Sequence, residues 1–280
     1  LRRIELMNFA DKFFNSIKSI AKVASQSRKC TVCPIPDANR IIIMGNGPSL
    51  NSTIEANSDI LRKLPTMAVN FAANAPVFRE IKPKFYVLAD PYFFSNAEDS
   101  NLKRLWSELE SIDWPCTLYV PASMRKKACK AIRSQMVSVE GFNAVGADGF
   151  EGLNHFLFRH GLAMPRPRNV LIPSIMLAIH AGFKTIDIVG ADHSWMKTLS
   201  VAEDNEVVSI QEHFYSDNAE EKARVRHEYR GYNLYQIVES FAVAFKSYID
   251  IRAYADKRGV KIYNCTPGSF IDAFPRRKLQ

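Results

Sequence analysis

From residue 40 onward the chain alternates short apolar runs with longer amphipathic ones. "RIIIMG" is an unbroken apolar run that stops at a glycine, the pattern of a buried strand. "STIEANSDILRKL" carries its apolar residues at helical spacing, "TMAVN" is a second strand and "AANAPVFREI" a short helix. "PKFYVLAD" is a third strand, followed by a helix around residues 102–109. "CTLYVP" is a fourth strand, and "ASMRKKACKAIRSQ" a basic helix after it. Residues 136–168 show no clean period. The pattern then resumes with a helix in "VLIPSIMLAIHAGF", which Gly182 is placed to end. "TIDIVGAD" is a strand, "LYQIVESFAVAFKSYIDIRAYADKRG" a long helix stopping at Gly259, and "VKIYNCT" a last strand. Strands alternating with helices predict an α/β, Rossmann-like fold, with a mostly parallel sheet covered by helices on both faces. One such domain accounts for residues 40–280.

Two stretches fall outside that rhythm. Over residues 4–24, Ile4, Met7, Phe9, Phe13, Phe14, Ile17, Ile20 and Val23 recur at helical spacing with lysines between them. This is a basic amphipathic helix, joined by a linker that ends at residue 39. Packing on the domain is the ordinary fate of such a helix; lying on a membrane or a partner is the alternative. Residues 193–230 form a polar excursion rich in His, Tyr and Arg. Its position after a strand predicts a lid.

The net charge of +8 adds a preference for anionic partners, either a nucleotide or a membrane surface. Nucleic acid is set aside, because no Arg/Lys stripe interleaved with aromatics is present. No apolar run is long enough to cross a bilayer. The five cysteines are an odd, scattered set, which suits a reducing compartment. The predicted location is therefore cytoplasmic, with peripheral contact at the inner membrane left open. The C-x-x-C at Cys30 and Cys33 has no second ligand pair for zinc and is followed by Pro34 and Pro36, so it reads as part of the linker.

Ligands of parallel α/β sheets sit beyond the carboxyl ends of the strands. The residues just after each strand are small and polar: residues 45–49, Asn70, Asp90 with Pro91, residues 190–194 and residues 264–269. In the first loop, "GNGPSL" lacks the third glycine of a dinucleotide fingerprint, and no Gly-Lys-Ser/Thr closes it as a Walker loop. Gly45 and Gly47 nonetheless permit close backbone approach to a phosphate, with Ser49 as cap of the next helix. A plain tight turn is the competing reading.

Three blocks carry a resemblance. "IIIMGNGPSL", "LAIHAGFKTIDIVGAD" and "GVKIYNCTPGSFIDAFP" resemble the bacterial sialyltransferases that use CMP-sialic acid. With "HFY" between the last two, they also resemble the broader MptE-like family. That family includes motility-associated flagellin glycosyltransferases and archaeal 6-hydroxymethylpterin diphosphokinases. The resemblance spans roughly residues 40–95 and 165–276. It implies a CMP-sugar donor, a glycan or lipid-linked glycan acceptor and no required cofactor. It leaves oligomerisation open, with ATP-dependent diphosphate transfer and non-catalytic nucleotide binding as alternatives. By the same resemblance Asn46, Gly47 and Ser49 hold phosphate and sugar, while Gly190 and Asp192 flank base and ribose. Asn70 and Asp90 take the places of two family asparagines. The match breaks in two places: no histidine stands near Ala242, where the sialyltransferases carry their general base, and Ser194 replaces one of their phosphate-binding tyrosines.

If the activity is the same, a base must come from elsewhere. His213, with Tyr215 beside it in "QEHFYSDN", is the first candidate, and His193 its rival; His227, in "RVRHEYRGY", ranks below both. Asp192 beside His193 is placed to keep it protonated or to set its tautomer. His180 lies inside an apolar helix and reads as structural. No D-x-D is present, so a metal site is not expected. A nucleoside monophosphate leaving group is served by hydroxyls, N–H groups and arginine.

Overall fold

The computed structural model describes residues 9–30, 32–35, 37–95, 98–208 and 231–280. A seven-stranded sheet forms its centre. In chain order the strands are β1 (Arg40–Met44), β2 (Thr66–Val69), β3 (Phe85–Val87), β4 (Cys116–Pro121), β5 (Val137–Phe142), β6 (Thr185–Val189) and β9 (Lys261–Asn264). β7 (Ser200–Val201) and β8 (Val207–Val208) make a separate antiparallel hairpin. The spatial order is β5-β4-β3-β2-β1-β6-β9, and every neighbouring pair is parallel. This is a Rossmann-like sheet. The chain walks outward from β1 to β5, then returns to place β6 on the other side of β1. The switch of direction lies between β1 and β6.

The helices are α1 (Phe9–Gln26), α2 (Ser49–Lys63), α3 (Val77–Ile81), α4 (Ser100–Glu110), α5 (Arg125–Ala131), α6 (Glu151–Arg159), α7 (Leu171–His180) and α8 (Leu234–Lys257). Alternation along β1 shows how they divide. Ile41 and Ile43 point into one apolar layer with α7 and the Tyr248, Ile251 and Tyr254 side of α8. Ile42 and Met44 point into the other, with Leu50 and Leu61 of α2 and Leu102 and Leu105 of α4. Successive side chains on a strand face opposite ways, so a strand buried on both sides reads as a continuous apolar run.

The aperiodic region holds β5 and α6. β5 stands at the edge of the sheet and is short of the continuous apolar run that marks the inner strands, with Ser138 exposed between Val137 and Val139. The linker is laid on the body: the Arg28 N–H donates to Asn143 Oδ1, and the Ile35 N–H to the Ala181 carbonyl. α1 does dock on the domain, through two serines and Val23, which packs on the core. Ser16 and Ser19 are its buried residues, and they bond the turn at residues 148–150. Its phenylalanines face outward.

Candidate functional site

A cleft of ≈ 1030 Å³ opens beyond the carboxyl ends of the strands at the β1/β6 switch. It is lined by Gly45, Asn46, Gly47, Asn70, Asp90, Gly190, Asp192 and His193 from the strand ends. These are eight of the eleven residues singled out from the sequence. Ser49 stands directly behind them. His213 and Tyr215 lie outside the described residues, as do His227 and most of the segment read as a lid.

The strand ends are locked together. The Gly45 N–H donates to the Val189 carbonyl and the Gly47 N–H to the Gly190 carbonyl, both at 2.8 Å. A Cβ on Gly45 would stand 2.4 Å from the Gly190 oxygen. One on Gly47 would stand 1.9 Å from Asp192 Oδ2 and 2.8 Å from the Gly190 oxygen. Glycine is demanded here by the approach of the β6 end. The N–H groups of both glycines are thereby committed to the fold, which leaves the N-terminus of α2 as the source of free N–H groups at this loop. Ser49 is not the cap: Pro48 holds that position, Ser49 opens α2, and its Oγ donates to Asp192 Oδ2 at 2.8 Å. The expected side-chain cap is replaced by a tether that fixes the carboxylate at the cleft wall.

The 190–192 turn is braced from β9. The Ala191 N–H donates to Thr266 Oγ1, Ser269 Oγ donates to the Ala191 carbonyl, and the Phe270 N–H to the Asp192 carbonyl. Residues 264–269 therefore support the site rather than line it. Asn70 has φ 51° and opens a 3₁₀ turn, its carbonyl accepting from the Tyr86 hydroxyl at 2.5 Å. Asp90 caps the next short turn by accepting from the Tyr92 N–H at 2.8 Å.

His193 is buried, with its ring 4.2 Å from that of Trp195. Its Nε2 lies 2.7 Å from the Tyr248 hydroxyl. That hydroxyl donates to Asn169 Oδ1 at 2.9 Å, and the same oxygen accepts from the Leu171 N–H at 3.0 Å. An atom that accepts from a backbone N–H is the amide oxygen, so Tyr248 must donate to it. Tyr248 then accepts from His193, which carries its proton on Nε2 and keeps Nδ1 as its acceptor nitrogen. Burial pushes the His193 pKa down to about 3. The tautomer is thus set by Tyr248 and Asn169, not by Asp192, and the ring is neutral rather than protonated. A group with so low a pKa is a poor match for general base work near neutral pH.

Two amide atoms in this cleft are buried and have no partner among the described residues: Asn46 Oδ1 and Asn169 Nδ2. Neither results from an arbitrary choice of orientation. Asn46 Nδ2 donates to the Val69 carbonyl and Asn169 Oδ1 accepts twice, so the orphans are one true acceptor and one true donor. The cleft lining also carries both signs of charge, with Arg168 and Lys197 as cations and Asp90, Asp192 and Glu239 as carboxylates. No group of three His, Cys, Asp or Glu side chains with metal-binding geometry occurs among the described residues.

Arg168, Asn169, Lys197 and Tyr248 went unnoticed in the sequence. Asn169 had a signal, since an Asn just before the apolar run of α7 is a helix-start mark. Tyr248 had none, as it sits within the apolar periodicity of α8.

No family model matches the chain, and no curated protein does. A solved structure with a similar arrangement is that of the MAf glycosyltransferase from Magnetospirillum magneticum AMB-1. The TM-score is 0.49 at 12% identity, over 98% of this chain and 39% of that one. The present chain thus spans about two fifths of that protein's length. The Rossmann-like assignment follows from the chain's own strand order.

Proposed function

We propose that the cleft holds a CMP-activated sugar and that the protein is a glycosyltransferase. It would move a nonulosonic-acid-type sugar to a glycan or lipid-linked glycan acceptor. The observation that carries this reading is the pair of orphaned amide atoms, an acceptor on Asn46 and a donor on Asn169. Both are buried in a cleft at the topological switch point. Buried polar atoms without protein partners are costly in a folded chain and call for a polar ligand or an ordered water. The rest of the lining suits the parts of a nucleotide-sugar. Arg168 and Lys197 match a phosphate, Asp90 and Asp192 match sugar hydroxyls, and Trp195 offers a flat apolar face. The three sequence blocks that resemble the CMP-sialic-acid enzymes supply the donor identity.

In the reaction, the acceptor hydroxyl oxygen bonds to the anomeric carbon. Its proton passes to a base, and the anomeric C–O bond breaks with its electron pair leaving on the CMP phosphate. Cationic groups in a partly dry cleft stabilise the charge that develops on that phosphate. His213 is the base in this reading, with Tyr215 toward the donor phosphate. His193, neutral and held by Tyr248, acts as a fixed hydrogen-bond acceptor.

Thermal shift with CMP, UDP, GDP and ATP, each with and without EDTA, tests the binding step. CMP at a hundred times its Kd stabilises by about 2.7 kcal/mol, a rise of roughly 5–10 °C for a domain of this size. EDTA leaves that rise unchanged. A response to ATP that EDTA abolishes would instead assign diphosphate transfer, and no response to any nucleotide would refute the reading. His213→Ala should lose about 10²–10⁴-fold in turnover while keeping the CMP shift.

A further inference from the structure

α1 is seated by the wrong face for a helix that only covers a core. Ser16 and Ser19 meet the domain, where Ser16 Oγ accepts from the Phe150 N–H at 3.0 Å and Ser19 Oγ donates to the Asp148 carbonyl at 2.8 Å. The seat is tight: a Cβ on Gly149 would lie 2.3 Å from Ser16 Oγ. Val23 lies on the same side and packs on the core, and Phe9 keeps its ring 5.3 Å from that of Phe150, but the apolar residues that begin beside Ser16 and run on round the helix are exposed. Phe9 is 75% exposed, Phe14 60%, Ile20 51%, Ile17 49% and Phe13 48%. At ~100° per residue, Phe9, Ile20, Phe13 and Ile17 fall within ~80° of one another, and Phe14 ~60° further round. Lys18 and Lys22, both exposed, come next around the helix. The stripe is therefore bounded by the protein on one edge and, on the other, by Lys18 and Lys22 with Asp11 between them.

We propose that this face of α1 docks on an anionic lipid bilayer, with the phenylalanines and isoleucines entering the headgroup boundary and Lys18 and Lys22 meeting lipid phosphates. Charge selects this occupant. A second copy would bring the same basic rim on a chain of net charge +8, whereas anionic headgroups bring the opposite sign. An amphipathic helix with aromatic residues on its apolar face and lysines at the boundary lies in the plane of the interface. The seat also ties the docked face to the cleft. Asp148 of the seating turn lies 3.6 Å from Arg166 and 3.4 Å from Lys246, and Arg166 directly precedes the cleft wall at residues 167–171. The inference stands apart from the nucleotide reading, because nothing in it depends on what the cleft binds.

Co-flotation of the whole chain with vesicles tests it, using phosphatidylcholine alone or phosphatidylcholine mixed with phosphatidylglycerol, at low and high salt. Binding is expected to the anionic vesicles only, and to weaken as salt rises. Phe13→Ser/Phe14→Ser changes exposed positions, so its melting temperature stays native while vesicle binding falls by at least about tenfold. Lys18→Glu/Lys22→Glu loses at least about fivefold for each lysine removed. Equal binding to neutral and anionic vesicles, or binding unaltered by both variants, overturns the proposal. So does a concentration-dependent dimer, seen by sedimentation, that Phe13→Ser/Phe14→Ser abolishes while the parent protein fails to float.

Discussion

His193 makes stability depend on acid in a calculable way. Its neighbours are the rings of Trp195, Phe245 and Tyr248, and its Nε2 proton is committed to the Tyr248 oxygen. Folding lowers its pKa from 6.5 to about 3. Between those values the unfolded chain binds a proton that the folded chain refuses, so stability rises with pH across the window. The contribution of the neutral ring is complete above pH 6.5. It is lost on acidification at up to ~1.4 kcal/mol per pH unit. The loss amounts to about 2 kcal/mol at pH 5 and levels off only near pH 3. His193→Gln keeps an amide donor toward Tyr248 and does not titrate. Its backbone stays at the φ of 50° that histidine already tolerates there. Urea denaturation at pH 7.5, 6 and 5 then isolates the residue. His180, whose pKa is also lowered by burial, is present in both proteins and cancels. The stability advantage of the parent over His193→Gln should shrink by about 2 kcal/mol from pH 7.5 to 5. Parallel pH profiles for the two proteins would refute the buried, neutral assignment of His193, and with it the tautomer derived from Asn169.

Two further outcomes follow from the packing of the strand ends and of the sheet. Asp187 is fully buried in β6 and bonds Arg40 Nε at 2.7 Å and both Nε and Nη2 of Arg277 at 2.9 and 2.8 Å. Asp187→Ala leaves two guanidinium groups without their carboxylate. It should cost about 3 kcal/mol by urea denaturation, toward the low end for a buried pair because both arginines reach solvent. It should also speed hydrogen exchange in residues 276–280. Gly45→Ala drives its methyl against the Gly190 carbonyl and should lower stability by about 1–3 kcal/mol while removing the CMP-induced thermal shift. A native melt with the shift retained would show that the β1 and β6 ends are not packed as described. Gly47 is the less informative position, since a side chain there first displaces Asp192.

What the sequence by itself determined is the architecture and where the strand-end cleft falls. Apolar runs such as Ile41, Ile42 and Ile43, alternating with amphipathic helices, point to a parallel sheet covered on both faces. The small polar residues that end those runs fall together because parallel strands all end on one side. Eight of the eleven residues named from the sequence line one cleft for that reason. Period says which face a residue takes but not what it touches across the chain, so the roles within the cleft came only from tertiary structure. Ser49 reads as a cap until Asp192, 143 positions away, takes its hydroxyl. Gly45 and Gly47 read as glycines that let a ligand come close, and only the tertiary structure shows that the β6 end comes close to them as well. His193 and Asp192 look like a pair because they are adjacent, yet the proton on His193 is placed by Tyr248 and Asn169, from two other elements. The amphipathic period of α1 was plain, but which face it presents was not. Two serines small enough to seat against a glycine turn decided that its phenylalanines point outward. Local pattern is set by what each residue prefers among its near neighbours, whereas hydrogen-bond partners and docking faces are set by contacts between distant segments, which no local pattern encodes.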